Sequence, residues 1–162
     1  MMVVASLSSL VTAGAAGCGA VVSADGEIPD PNTPASLEIV ADGGIAAFHT
    51  VARVDSASGS VYWSSGTICA ATAGCPVVDP LAGHLDRNVV DAFYARLATS
   101  EFRALRADYG TTKNGADMRL YTLTIHANGR VRTLRADDGT MPTLMAEFVH
   151  DVMGAVSAAV KR

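Results

Sequence analysis

The chain has 162 residues, enough for one domain with appendages and too few for two full domains. Its formal charge of −4 leaves no electrostatic footprint for nucleic acid or anionic lipid, so no nucleic-acid partner is expected. No charged residue precedes Asp25, so all 16 acidic and 12 basic residues belong to a later, ordinary soluble stretch. That stretch can bury roughly two thirds of the surface its unfolded chain exposes.

Residues 1–24 read as an export signal. The run from Met1 to Val11 is apolar and ends in the small residues Ala13 to Gly17, the pattern of an h-region with its cleavage zone. It is too rich in Ala, Gly and Ser for a membrane-spanning helix. The basic n-region is missing, which favours a true start upstream of Met1 over an atypical signal. Two processing sites compete. Ala15, Ala16 and Gly17 before Cys18 resemble a bacterial lipobox, with lipidation at Cys18, although Ala15 stands where Leu is usual. Val22-Ser23-Ala24 before Asp25 suits ordinary secretion. The first is preferred and places the domain in the cell envelope, lipid-anchored and facing the periplasm or exterior; the second makes it secreted. Either cut removes Cys18 as a free thiol and leaves Cys69 and Cys75, of the 3 cysteines, as an even pair. In an oxidising compartment these are expected to form a disulfide around a small loop rather than a metal half-site.

Residues 25–34 carry Pro29, Pro31 and Pro34 and read as an extended polar tether. The single domain is expected over residues 35–162. Leu37, Ile39 and Ala41 alternate as a first strand, and Asp42-Gly43-Gly44 supplies a turn. A second strand is predicted from Ile45 to Val54, and a third extended piece from Ser60 to Trp63. Ser64 to Leu85 reads as a long loop tied by the cysteines, with a short strand around Thr67 to Ala70 as an option. Asp86 is placed to cap a helix through about Ala98, with Val89, Val90, Phe93, Tyr94 and Leu97 on one face. Glu101 to Tyr109 reads as a second turn with Phe102 and Leu105 inward. Arg119 to Ala136 reads as a hairpin around Asn128-Gly129. A two-residue loop sets Ile125 opposite Arg132, and a three-residue loop with a glycine bulge sets it opposite Val131; the pattern leaves both open. Pro142 suits the start of a last helix whose Leu144, Phe148, Val152, Val156 and Val160 recur every four residues beside Met145, Val149 and Met153. The expected fold is α+β: an antiparallel sheet of four to five strands with two helices packed on one face.

No catalytic residue set and no metal or cofactor site is expected. Ser64-Ser65-Gly66 and Ser58-Gly59-Ser60 lack the Gly-x-Ser-x-Gly elbow, and His49, His84, His126 and His150 form no paired ligand motif. Asp137-Asp138-Gly139 lacks the spaced oxygens of a calcium loop and reads as a turn with a solvated charge pair.

The run Asp42-Gly43-Gly44-Ile45-Ala46 after a first strand, then Asp117, Tyr121 to Ile125, Arg130 to Arg135 and Pro142 before a closing helix, resembles the emfourin family. These are small inhibitors of thermolysin-type metalloproteases related to protealysin. The resemblance spans most of residues 35–160, departs at Ile45 and Ala47 from the family's aromatic and second glycine, and carries over no inhibitory residue. It implies a small non-catalytic binding domain with a thermolysin-like metalloprotease as partner. A structural or assembly lipoprotein of the envelope is the alternative, followed by a secreted hydrolase of unrecognised type.

Overall fold

The computed structural model describes residues 35–44, 47–67, 80–113 and 117–161. Along β1 (Ala35–Gly43) every second residue is buried, the period of two that sends successive side chains to opposite faces of a sheet. Gly43 and Gly44 leave it with φ of 113° and 78°. A Cβ at Gly43 would stand 2.7 Å from the Met118 carbonyl oxygen, so the turn requires glycine. The chain then forms β2 (Phe48–Asp55), β3 (Ser60–Thr67), β4 (Leu81–His84), α1 (Arg87–Leu97), α2 (Ser100–Arg103), β5 (Arg119–Ala127), β6 (Arg130–Asp137) and α3 (Thr143–Val160). The strands make one sheet in the order β4-β3-β2-β1-β5-β6, every neighbouring pair antiparallel.

The mixed helix and antiparallel-sheet architecture is the expected one, but among the described residues the sheet has six strands rather than four or five and there are three helices rather than two. The second strand starts at Phe48, not Ile45, and the third runs on to Thr67. β4 lies inside the stretch predicted as loop. Leu81-Ala82-Gly83-His84 has no alternation and weak strand propensity; it is extended because β3 offers an edge. Gly83 also lets α3 pass: a Cβ there would lie 2.8 Å from the Ala159 carbonyl oxygen.

The hairpin uses the two-residue loop. Asn128 and Gly129 have φ of 51° and 69°, a pair of left-handed residues that matches strand twist, and Ile125 pairs with Arg132 and Leu123 with Leu134. Arg132 is accommodated on the covered face because its Nη2 donates to the carbonyls of Phe102, Arg103 and Leu105 at 3.2, 3.1 and 2.9 Å. It thereby satisfies the orphan acceptors at the end of α2.

The helices lie on one face of the sheet. Val90, Phe93, Tyr94 and Leu97 of α1 and Met145, Phe148, Val149, Val152 and Val156 of α3 join Leu37, Ile39, Ala52, Val54, Leu123 and Leu134 in one core. Phe148 meets Phe93 and Phe102 edge-on, with ring centroids 6.1 and 5.0 Å apart. Asp86 caps α1 through its carbonyl, which accepts from Val89 and Val90, and not through its side chain. Thr99 does cap α2 with its hydroxyl, accepting from Phe102. By length and composition α3 could cross a bilayer, yet its apolar stripe is buried in this core.

Candidate functional site

Strand register divides the helix-covered face into rows. Leu37, Val54, Val61 and Ile125 form one row, and Ile39, Ala52, Trp63, Leu81 and Leu123 the next. Beyond them come Ala41, Thr50, Ser65 and Tyr121, and last Gly43, Phe48, Thr67 and Arg119. Leu37, Ile39, Ala52, Val54 and Leu123 are fully buried, whereas Phe48 in the last row is 42% exposed. The sheet therefore outruns the helices at the end where β1 turns into β2. Of the four exposed large hydrophobic residues among those described, Phe48 and Met118 lie at that end, and Leu81 lies across from Trp63 on the β4 edge.

Where α3 passes this end, a groove of about 410 Å³ opens between helix and sheet. Trp63 and Tyr121 line it from the sheet, Asp138 and Met141 from the turn after β6, and His150 and Met153 from α3. Arg119 stands at its mouth with its guanidinium 5.8 Å from the centre of the Phe48 ring. Its backbone is fixed by Asp138, whose carboxylate accepts from Arg119 N–H at 2.9 Å and whose own N–H donates to the Arg119 carbonyl at 3.1 Å. Burial, and then the neighbouring Asp138 charge, push the Tyr121 phenol above its ordinary value, opposed by Arg119. The groove thus combines apolar walls with a phenol, a guanidinium, a carboxylate and an imidazole, the composition of a surface that grips an amphipathic side chain.

The Asp137-Asp138-Gly139 turn needs correction. Asp138 is solvated as expected, but Asp137 is buried. Its carboxylate accepts from Thr112 N–H and from Thr112 Oγ1 (2.9 Å), Gly139 N–H (3.0 Å), Thr140 N–H (2.8 Å) and Thr140 Oγ1 (2.9 Å). The Thr112 amide foremost, with the two threonine hydroxyls and the Thr140 amide, holds its pKa at about 2 against the opposing cost of burial. It staples the end of β6 to residues 110–113 and to the start of α3.

The histidines remain apart, though not all are idle. His49 is half-buried, with Nδ1 2.5 Å from Asp42 Oδ1 across the β1–β2 register. On the same uncovered face Glu38 pairs with Arg53, whose guanidinium lies 5.2 Å from the Tyr62 ring centre. His84 and His126 are exposed, and His150 reaches the groove from the exposed side of α3. Ser64, Ser65 and Gly66 are strand residues of β3, and Ser58 and Gly59 belong to the β2–β3 turn. Among the described residues no group of three or more His, Cys, Asp or Glu is placed to hold a metal ion. Cys18, Cys69 and Cys75, with the signal and tether, lie outside the described residues. No family model, curated protein or solved structure matches the chain.

Proposed function

We propose that the chain is an envelope-tethered lipoprotein, anchored through Cys18, whose domain binds a protein partner through the groove beside α3. The partner to test first is a thermolysin-type metalloprotease. The observation that carries the reading is Phe48, an aromatic side chain held 42% exposed beyond the last helix-covered row, with Met118 exposed at the same end. Aromatic and methionine side chains beside an arginine make good interface anchors. The emfourin-like runs bracket the same end: Gly43 and Gly44 turn there, and β5 begins there at Arg119.

The direction of β1 supports the tethering. Ala35 sits at the hairpin end, paired with Ala127, and Gly43 at the groove end, paired with Phe48 and Arg119. The nine residues of β1 separate these ends by roughly 27 Å at the rise of a strand. An anchor upstream of Ala35 therefore attaches to the domain at the end opposite the groove.

The test is titration of the mature protein against thermolysin with a peptide substrate. Inhibition at micromolar protein, weakened at least tenfold by Phe48→Ala, is the expected result. No inhibition at that concentration sinks the inhibitor reading, and inhibition indifferent to Phe48→Ala sinks the groove. Mass spectrometry of the mature N-terminus should show a lipidated Cys18; a free Asp25 would make the protein secreted, and an intact Met1 would overturn export. Alkylation before and after reduction should show Cys69 and Cys75 oxidised.

A further inference from the structure

β6 is the last strand of the sheet, and only its upper part has an outside neighbour. There Arg135 N–H donates to the Ala107 carbonyl and its own carbonyl accepts from Tyr109 N–H, each at 2.9 Å. Backbone groups alternate sides along a strand, so the N–H and C=O of Val131 and Thr133 point off the sheet as those of Arg135 do. Among the described residues no segment pairs with them. Val131, one of the four exposed large hydrophobic residues among those described, is 44% exposed on this edge.

The edge is also basic in an acidic protein. Arg130, Arg132 and Arg135 lie on β6 itself. Arg132, by donating to three carbonyls of the α2 exit, brings the stretch carrying Arg103 and Arg106 to the same place. Five of the chain's 12 basic residues thus gather on segments that carry three acidic ones, Glu101, Asp108 and the buried Asp137 at the far end of β6, while the whole chain is −4. A second copy of β6 is disfavoured here, since antiparallel self-pairing about Arg132 would juxtapose arginines.

We propose that the β6 edge from Arg130 to Leu134 receives an extended acidic segment of a partner protein as an added strand. Backbone bonds to Val131 and Thr133 hold the segment. Its acidic side chains fall toward Arg130 and Arg132 on one face, and an apolar side chain between them covers Val131 on the other. An alternation of acidic and apolar residues follows from the period of two. This surface is separate from the groove and does not depend on the partner proposed there.

The test is an NMR titration of isotope-labelled mature protein with a capped hexapeptide alternating Glu and Val, against one alternating Lys and Val. Shifts of the Val131 and Thr133 amides with the first peptide only, weakening as salt is added, are expected. Thr133→Pro should abolish them, because it removes an outward N–H and keeps the β5 ladder. Arg130→Glu should weaken binding at least tenfold, and it serves alone if the proline variant loses its native spectrum. The proposal is overturned by no shift at millimolar peptide, by shifts confined to the groove, or by equal response to the Lys peptide. It is equally overturned if the Val131 and Thr133 amides shift with protein concentration alone, which marks a second copy. It is likewise overturned if removal of residues 25–34 shifts them, which marks the chain's own tether on the edge.

Discussion

Phe48 and Phe148 are the same side chain on the two sides of the boundary where the helix layer stops, and replacing each by Ala measures that boundary. Phe148 is fully buried, edge-on to Phe93 and Phe102, with the Arg96 guanidinium 5.3 Å from its ring centre. Truncation there loses transfer free energy and leaves a cavity, a cost of about 3–5 kcal/mol for a buried phenylalanine. Against a total stability of about 5–15 kcal/mol this is a large fraction. Phe48 keeps 42% of its surface in water, so scaling the roughly 1.5–3 kcal/mol of full burial gives about 1–2 kcal/mol. Loss of its exposed contact with Arg119 adds only about 0.5 kcal/mol. Urea unfolding followed by circular dichroism, with the denaturant slope checked for constancy, reads both numbers. If Phe48→Ala costs as much as Phe148→Ala, the end of the sheet is core and the groove is not a binding surface.

Three further substitutions probe the frame. Asp137→Asn should destabilise at neutral pH, and the gap to wild type should close as pH falls. A carboxyl depressed from 3.8 to about 2 contributes its full stability above the unfolded value and loses it through the folded one, so urea midpoints should converge between about pH 4 and 2. Gly83→Val forces a Cβ against the Ala159 carbonyl, an overpacking cost of about 1–3 kcal/mol, and hydrogen exchange should quicken selectively in the last turn of α3. Gly129→Ala has open space around it but a φ of 69°, so backbone strain alone should cost about 1 kcal/mol in the same urea assay.

The hairpin shows where sequence reasoning stops. Asn128-Gly129 announces the turn, but apolar matching pulls Ile125 toward Val131, while the folded protein pairs it with Arg132. What decides the register is the carbonyl cluster at the α2 exit, some thirty residues away in sequence, which no local pattern reveals. Asp137 is the same kind of case: it looks like a surface turn residue until Thr112 arrives from 25 residues upstream to bury it. The alternation of β1 and the four-residue stripe of α3 were legible because their burial follows from their own periodicity. β4 and the second half of β3 lack such periodicity, being held in the sheet by their neighbours, as where Thr50 and Ser65 hydroxyls meet at 3.1 Å. The groove belongs to neither sequence pattern, because it arises from a mismatch in length between sheet and helices.

That mismatch makes the groove depend on the Asp137 staple more than on the core. Asp138 and Met141, which form one wall, sit on the turn whose Gly139 and Thr140 amides donate to the Asp137 carboxylate. Arg119 at the mouth is fixed in turn by its two bonds to Asp138, and Tyr121 responds to both. The core, by contrast, is closed by Leu37, Ile39, Phe148 and Val152, none of which touches this turn through a hydrogen bond. Local opening should therefore detach the groove wall before the sheet and helices come apart. In Asp137→Asn at neutral pH, partner affinity and amide protection around 138–141 should fall together, while protection at Leu123 and Val152 persists. Loss of protection at all three places at once would mean that the turn unfolds with the core, and that the groove is as rigid as the sheet it stands on.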